Sequence, residues 1–256
     1  MDDARLPLTD HLAELRNRIF KMLIALLVGT IAAWNWREEI FEVLLWPALT
    51  SLGPDGGHLQ ALAPAEIFFT YMKCALLAGF VVSLPVVFWQ LWAFIAPGLY
   101  ASEKRVALPF VLTSTLLFLG GALFGYFVVF PIMFSFFASF QNRYVEAAWT
   151  MHEVFSFTVQ MFLAFGVSFE LPVVVFFLAV AGIVDARGLM RGFKYAVLAA
   201  FIVAAVLTPT PDVVTQSLLA GPLILLYLLG VGAAWLFAPR RREAEATSDE
   251  TGITPA

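Results

Sequence analysis

Apolar residues along this 256-residue chain come in long blocks, and the polar residues collect between them. A hydrocarbon core of about 30 Å takes about 20 helical residues to cross. On that ruler six spans are expected, at about residues 19–36, 69–94, 106–140, 154–184, 195–207 and 217–237. The pattern predicts an all-α integral membrane protein with six transmembrane helices. Pro85 is expected to kink the second span, and the third is long enough to tilt. The fifth is different, because only residues 195–207 are apolar before the breakers of TPTPD at 208–212. As a helix that segment covers only about 20 Å. The last two helices are therefore expected to be short or closely joined, with their turn below the membrane surface or the bilayer thinned there.

Between the spans the loops are short. The largest, residues 37–65, begins with the amphipathic WREEIFEVLLW and breaks at SLGPDGG, which predicts a surface helix followed by a turn. A shorter loop on the same side covers about 141–153. The first span follows a basic collar of Arg16, Arg18 and Lys21, as a signal peptide would, but Trp34 and Trp36 stand where a small-residue cleavage site would follow Ala33. It is read as a retained helix with an aromatic interface anchor. No internal repeat is visible. Residues 1–238 are expected to form one six-helix domain and 239–256 a disordered cytoplasmic tail.

Composition strengthens the membrane reading: 61% of residues are hydrophobic, 13% are charged, and the mean hydropathy is +0.86. Cys74 is the single cysteine, so no intramolecular disulfide can form. Charge then orients the chain. Arg5, Arg16, Arg18, Lys21, Lys104, Arg105, Arg187, Arg191, Lys194 and the run Arg240 to Arg242 fall on one side, whereas the other receives Arg37 and Arg143, with Lys73 near the start of the second span able to snorkel outward. By the positive-inside rule both termini should be cytoplasmic.

Candidate chemistry is sparse. There is no HExxH, Walker loop, dinucleotide fingerprint or CxxC, so neither an enzyme nor a cofactor, metal or nucleic acid is expected. His11, His58 and His152 lie far apart at loop or terminal positions. Ser168 reads as a helix-packing serine with no histidine at membrane depth to act as its base. Two stretches on the basic side are richer: HLAELRNR, with Glu14 and Arg16, and FIAPGLYASEKR, with Phe94, Leu99 and Glu103. These could be solvated loop charge, or two carboxylates flanked by apolar groups that bind a cationic ligand with a hydrophobic tail. Spacing does not decide between them. Glu170, in GVSFELP, should lie near the bilayer centre, where an ionised carboxylate costs about 2.5–3.5 kcal/mol on insertion scales. It should face protein or water, and Pro172 should bend the helix beside it.

The ordered segments HLAELRNR, FIAPGLYASEKR, YFVVFPIMFSF, AFGVSFELPVVV and LTPTPDVVTQ closely resemble the TatC family, the multispanning core subunit of the twin-arginine protein translocase. The resemblance covers about residues 8–237. It implies a receptor in a bacterial plasma membrane that binds twin-arginine signal peptides of folded proteins through Glu14, Arg16, Phe94, Leu99 and Glu103, with Glu103 as principal arginine partner. Carboxylates take planar guanidinium groups bidentately, which lysines cannot reproduce. It also implies single-span TatA-like and TatB-like partners docking near Thr208, Asp212 and Gln216, a larger homo-oligomeric complex, and export driven by the proton motive force. This chain has TPTPD where many relatives have TPPD, which leaves the placement of Asp212 open.

A proton-coupled secondary transporter using Glu170 is the alternative, although such a protein should show repeats or several intramembrane charges. For Glu170 itself two readings stand. It is a neutral carboxyl hydrogen bonded within the bundle, or part of a polar patch in a concave cavity that draws water or head groups inward.

Overall fold

The computed structural model describes residues 8–52, 58–95, 104–141, 144, 148–180, 182–207 and 212–237. Its elements are helices α1 (Leu8–Ala33), α2 (Arg37–Ser51), α3 (Glu66–Ile95), α4 (Lys104–Phe124), α5 (Phe130–Ala138), α6 (Met151–Ser168), α7 (Leu171–Val180), α8 (Ala186–Arg191), α9 (Phe193–Leu207) and α10 (Val213–Phe237). Five helical stretches are long and apolar enough to cross a membrane, and α9 is a shorter apolar helix. At 15 residues α9 is about 22 Å long, well short of the hydrocarbon thickness, as its sequence predicts. The end of the bundle that carries the start of α1 is here the basic end, and its opposite the far end.

Helix α1 begins at Leu8, well before the apolar run, because HLAELRNR is itself helical. A short 3₁₀ turn, Trp34–Trp36, then leads directly into α2. Arg37 lies over the Trp34 ring, 5.2 Å from its centroid, and closes that corner. The amphipathic pattern of α2 is used as expected: Leu44, Leu45 and Ala48 are buried. Its Val43 carbonyl accepts the Tyr126 hydroxyl.

The third span is one continuous rod in three parts, α4, a π-helical segment at Gly125–Val129, and α5. A wider turn just ahead of Pro131 accommodates a residue that lacks the backbone donor, the usual origin of such bulges. In α3 the chain stays helical through Pro85. The fourth span, by contrast, is interrupted: α6 ends at Ser168 and α7 starts at Leu171. The Glu170 N–H bonds the Val167 carbonyl at 3.1 Å, a tightened turn beside Pro172. Ser168 donates its hydroxyl to the Ala164 carbonyl at 2.5 Å, the packing role its sequence setting suggests.

Packing is closest where α1 crosses α3. A Cβ on Gly79 would stand 2.4 Å from the Thr30 nitrogen, and one on Gly29 would stand 2.7 Å from the Gly79 carbonyl oxygen. Only glycine at both positions lets the two backbones touch, which is how membrane helices gain contact without a hydrophobic drive. The main core, with Phe130, Phe165, Met133 and Met161 fully buried, joins α2, α3, α5, α6, α9 and α10. A second cluster, Leu84, Phe88, Trp92, Val111, Phe118 and Val173, joins α3, α4 and α7.

At the far end the two outer loops are stapled together. Gln60 and Thr150 form a parallel bridge, with Gln60 N–H on the Trp149 carbonyl at 3.0 Å and Met151 N–H on the Gln60 carbonyl at 2.9 Å. Glu66 accepts three backbone N–H groups, from Leu62 at 2.7 Å, Ala63 at 3.2 Å and His152 at 2.8 Å. Thr150 caps α6 by accepting from Glu153 N–H. The expected tail at 239–256 lies outside the described residues.

Candidate functional site

At the basic end, Phe94 stacks on His11 with ring centroids 4.5 Å apart. That contact brings the first turn of α1 and the last turn of α3 together, so the two stretches singled out from sequence are neighbours in space. Arg16 is exposed on α1 beside an apolar stripe of Leu12, Leu15, Ile19, Phe20 and Leu23, which borders a shallow groove. Glu14, one turn from His11, is occupied: Arg18 donates to its Oε1 through Nη2 and, at 3.0 Å, through Nε. The pair follows from i,i+4 spacing on one helix face. Leu99 and Glu103 lie outside the described residues.

Deeper in the bundle the interruption between α6 and α7 presents Glu170 to α4. Ser114, fully buried, lies beside the Glu170 carboxyl, and the Trp92 indole N–H donates to the Ser114 hydroxyl oxygen at 3.1 Å. The serine hydroxyl accepts from the indole, so its own proton is left to turn toward Glu170. Of the carboxyl oxygens, Oε1 is buried and has no hydrogen-bond partner among the described residues. It is a buried polar atom awaiting a partner. Around the network stand Phe110 and Phe177, whose centroids lie 5.0 Å and 4.9 Å from Trp92. Trp92 lies two residues before Phe94, so the residue that bonds Ser114 and the residue that stacks on His11 share the last turn of α3.

The third candidate region is the α9–α10 turn. Asp212 caps α10, its Oδ1 accepting from Thr215 N–H at 2.7 Å. Gln216 reaches back to α9, donating to the Phe201 carbonyl at 3.0 Å, and Gln160 of α6 donates to the Leu207 carbonyl at 2.7 Å. These bonds tie a helix too short for the bilayer to its neighbours at a place where lipid could satisfy nothing. Thr208 lies outside the described residues. Among the described residues no three His, Cys, Asp or Glu side chains gather as metal ligands would.

Sequence reasoning missed Trp92, Ser114, Arg18 and Gln160. The i,i+4 step from Glu14 was readable, but the partners of Glu170 lie 56 and 78 positions upstream, inside apolar runs where a lone serine or tryptophan looks like packing.

Comparison with known proteins gives one consistent answer. Residues 10–222 match the family model described as Sec-independent protein translocase protein (TatC). A Sec-independent protein translocase protein TatC from Desulforapulum autotrophicum is 40% identical over 249 residues, covering 97% of this chain and 92% of that one. One from Campylobacter jejuni is 40% identical over 244 residues, covering 95% and 98%. A crystal structure described as the twin arginine translocase receptor TatC superposes with a TM-score of 0.77 at 37% identity, over 88% of this chain and 98% of that one. The family match, the relatives along nearly the whole length and the shared architecture agree: this chain belongs to the TatC family of Sec-independent protein translocase proteins.

Proposed function

We propose that this protein is the signal-peptide receptor and assembly core of a twin-arginine translocase in a bacterial plasma membrane, with both termini cytoplasmic. The observation that carries this reading is the His11–Phe94 stack, which sets the Glu14 helix beside the start of the first loop on the arginine-rich end. A ligand with two guanidinium groups followed by an apolar segment suits such a surface. Carboxylates of Glu14 and Glu103 take the arginines, while Phe94, Leu99 and the α1 stripe offer apolar contact. Arg16, exposed on the same stretch of α1, discourages a lone cation.

The buried Glu170 oxygen finds its partner in head groups or water drawn into a membrane thinned around the short α9. Partner subunits of TatA-like and TatB-like type dock beside Thr208, Asp212 and Gln216, where polar side chains on one helix can bond a polar residue on another for about 1 kcal/mol. Six helices with short loops enclose no lumen for a folded domain. Several copies and their partners therefore form the passage, driven by the proton motive force with no covalent step in this chain.

The test is a photocrosslinker at Phe94 or Leu99 with a twin-arginine precursor. Capture should be lost when the arginine pair becomes two lysines; equal capture of both precursors would sink the receptor reading. Glu103→Ala should weaken precursor binding while leaving the protein inserted, and normal export by that variant would remove Glu103 from the site.

A further inference from the structure

The short helix α8 and the last turns of α10 form a feature that signal-peptide recognition does not use. Asp185 caps α8 by accepting from Gly188 N–H at 3.2 Å, and the Tyr227 hydroxyl of α10 donates to the Leu189 carbonyl at 2.7 Å. Helix α8 is thereby pinned against α10. Arg187 and Arg191 are one turn apart, so their guanidinium groups share a face. Both are exposed, and neither makes an ion pair or hydrogen bond with another described residue.

Between these arginines and α10 runs an open groove of about 610 Å³, whose floor and wall are Leu228, Val231, Gly232 and Trp235. No atom lies within 4 Å of where a Cβ on Gly232 would stand, so the floor is free space. Trp235, 69% exposed, closes the rim near the end of α10, the position at which indoles mark the head-group level. An apolar slot with two unpaired guanidinium groups at its mouth is complementary to an amphiphile with an anionic head and a hydrocarbon tail. An apolar partner helix would leave the arginines unsatisfied, and a soluble phosphate would leave the slot unfilled.

We propose that this groove holds an anionic phospholipid, its phosphodiester between Arg187 and Arg191 and one acyl chain laid along Leu228, Val231 and Gly232. The lipid bridges α8 to α10 and fixes the entry to the short α9, whose first residues follow Arg191 directly. The inference rests on membrane embedding alone and is independent of what the Phe94 surface recognises.

The experiment titrates the full chain, purified in dodecyl maltoside, with phosphatidylglycerol or phosphatidylcholine and counts retained lipid by native mass spectrometry. Phosphatidylglycerol should be retained at least tenfold better. Each of Arg187→Gln and Arg191→Gln should weaken its retention about fivefold and the pair about thirtyfold. Gly232→Leu should weaken it by filling the slot, and Lys194→Gln, outside the groove, should leave it unchanged. Both arginines are exposed, so an unaltered melting temperature is expected in every arginine variant and serves as the folding control. Equal retention of the two lipids, wild-type retention by the double arginine variant, or the same loss from Lys194→Gln would each overturn the proposal.

Discussion

The two ends of the bundle are held by different kinds of bond. At the far end the links between the two loops are backbone to backbone or backbone to carboxylate: the Gln60–Thr150 bridge and the N–H groups gathered by Glu66. At the basic end, among the described residues, α1 and α3 meet through single side chains, the ring stack between His11 and Phe94, and beside it α1 carries an exchangeable ion pair between Glu14 and Arg18. Backbone bonds fix register, because breaking them strands polar groups at the membrane edge. Side-chain contacts can be traded for equivalent contacts from a ligand. The difference teaches that one end is an anchor and the other a surface built to exchange partners, with α3 as the element common to both.

That contrast depends on α1 and α3 moving as a unit, and Gly79→Leu attacks it most severely. The new side chain would begin 2.4 Å from the Thr30 backbone nitrogen, which cannot yield as a flexible side chain would. Overpacking of this kind costs about 1–3 kcal/mol, and a backbone clash belongs at the top of that range. The variant should melt well below wild type in detergent and lose precursor binding and export together. A variant that melts normally would show that the helices slide freely, and the two-ended description would fail.

Next in size is Glu66→Gln. The amide oxygen can accept from fewer donors than a carboxylate and brings its own N–H groups, so at least one of Leu62, Ala63 and His152 should lose its partner. Amide hydrogen exchange should accelerate at those three positions, with a smaller fall in melting temperature than for Gly79→Leu and precursor capture at Phe94 retained. If capture fell as far as the melting temperature predicts for a global loss, anchor and surface would not be separable.

How much of this was legible in sequence follows the same division. Apolar run length gave the spans, the short fifth helix and the surface helix α2, and Pro172 marked the interruption beside Glu170. These are local signals, set by a few consecutive residues. Helix α8 was not legible, because six residues in a basic loop carry no periodicity and are held by Asp185 and by Tyr227, 38 positions beyond Leu189. Nor was the start of α1 at Leu8, where an i,i+4 ion pair extends the helix beyond the hydrocarbon. Glu170 stood out as a charge in an apolar run, but its partners lie on two other helices, and no pattern within one helix can reveal a contact between three.

The link between the ends is tested by Ser114→Ala. It removes the acceptor of the Trp92 indole and leaves a buried N–H, worth about 1–3 kcal/mol, and takes away the hydroxyl beside Glu170. Export should fall while crosslinking at Phe94 persists, because the surface itself is untouched. Trp92→Phe should be milder, since Ser114 can still bond the carboxylate. Glu170→Gln separates the two readings of that residue: retained export means polarity suffices, and loss equal to that of Glu170→Ala means the carboxyl is required. Normal export from Ser114→Ala would reduce the network to packing.

The smallest expected effect is the sharpest test of the basic end. Arg18 presents to Glu14 the same planar guanidinium that an arginine-bearing peptide would present, and the two cannot bond its Oε1 together. A guanidinium that takes the carboxylate bidentately needs both oxygens, so Arg18 acts as a placeholder that such a ligand must displace. A partly exposed i,i+4 pair is worth only about 0.3–0.5 kcal/mol, so Arg18→Gln should tighten precursor binding by about twofold. Glu14→Gln should weaken it, and the double variant should resemble Glu14→Gln alone, because a placeholder has nothing to hold once its carboxylate is gone. If Arg18→Gln instead weakened binding as much as Glu14→Gln, the pair would be a preformed half of the site. The basic end would then be as fixed as the far one, and the contrast between them would be lost.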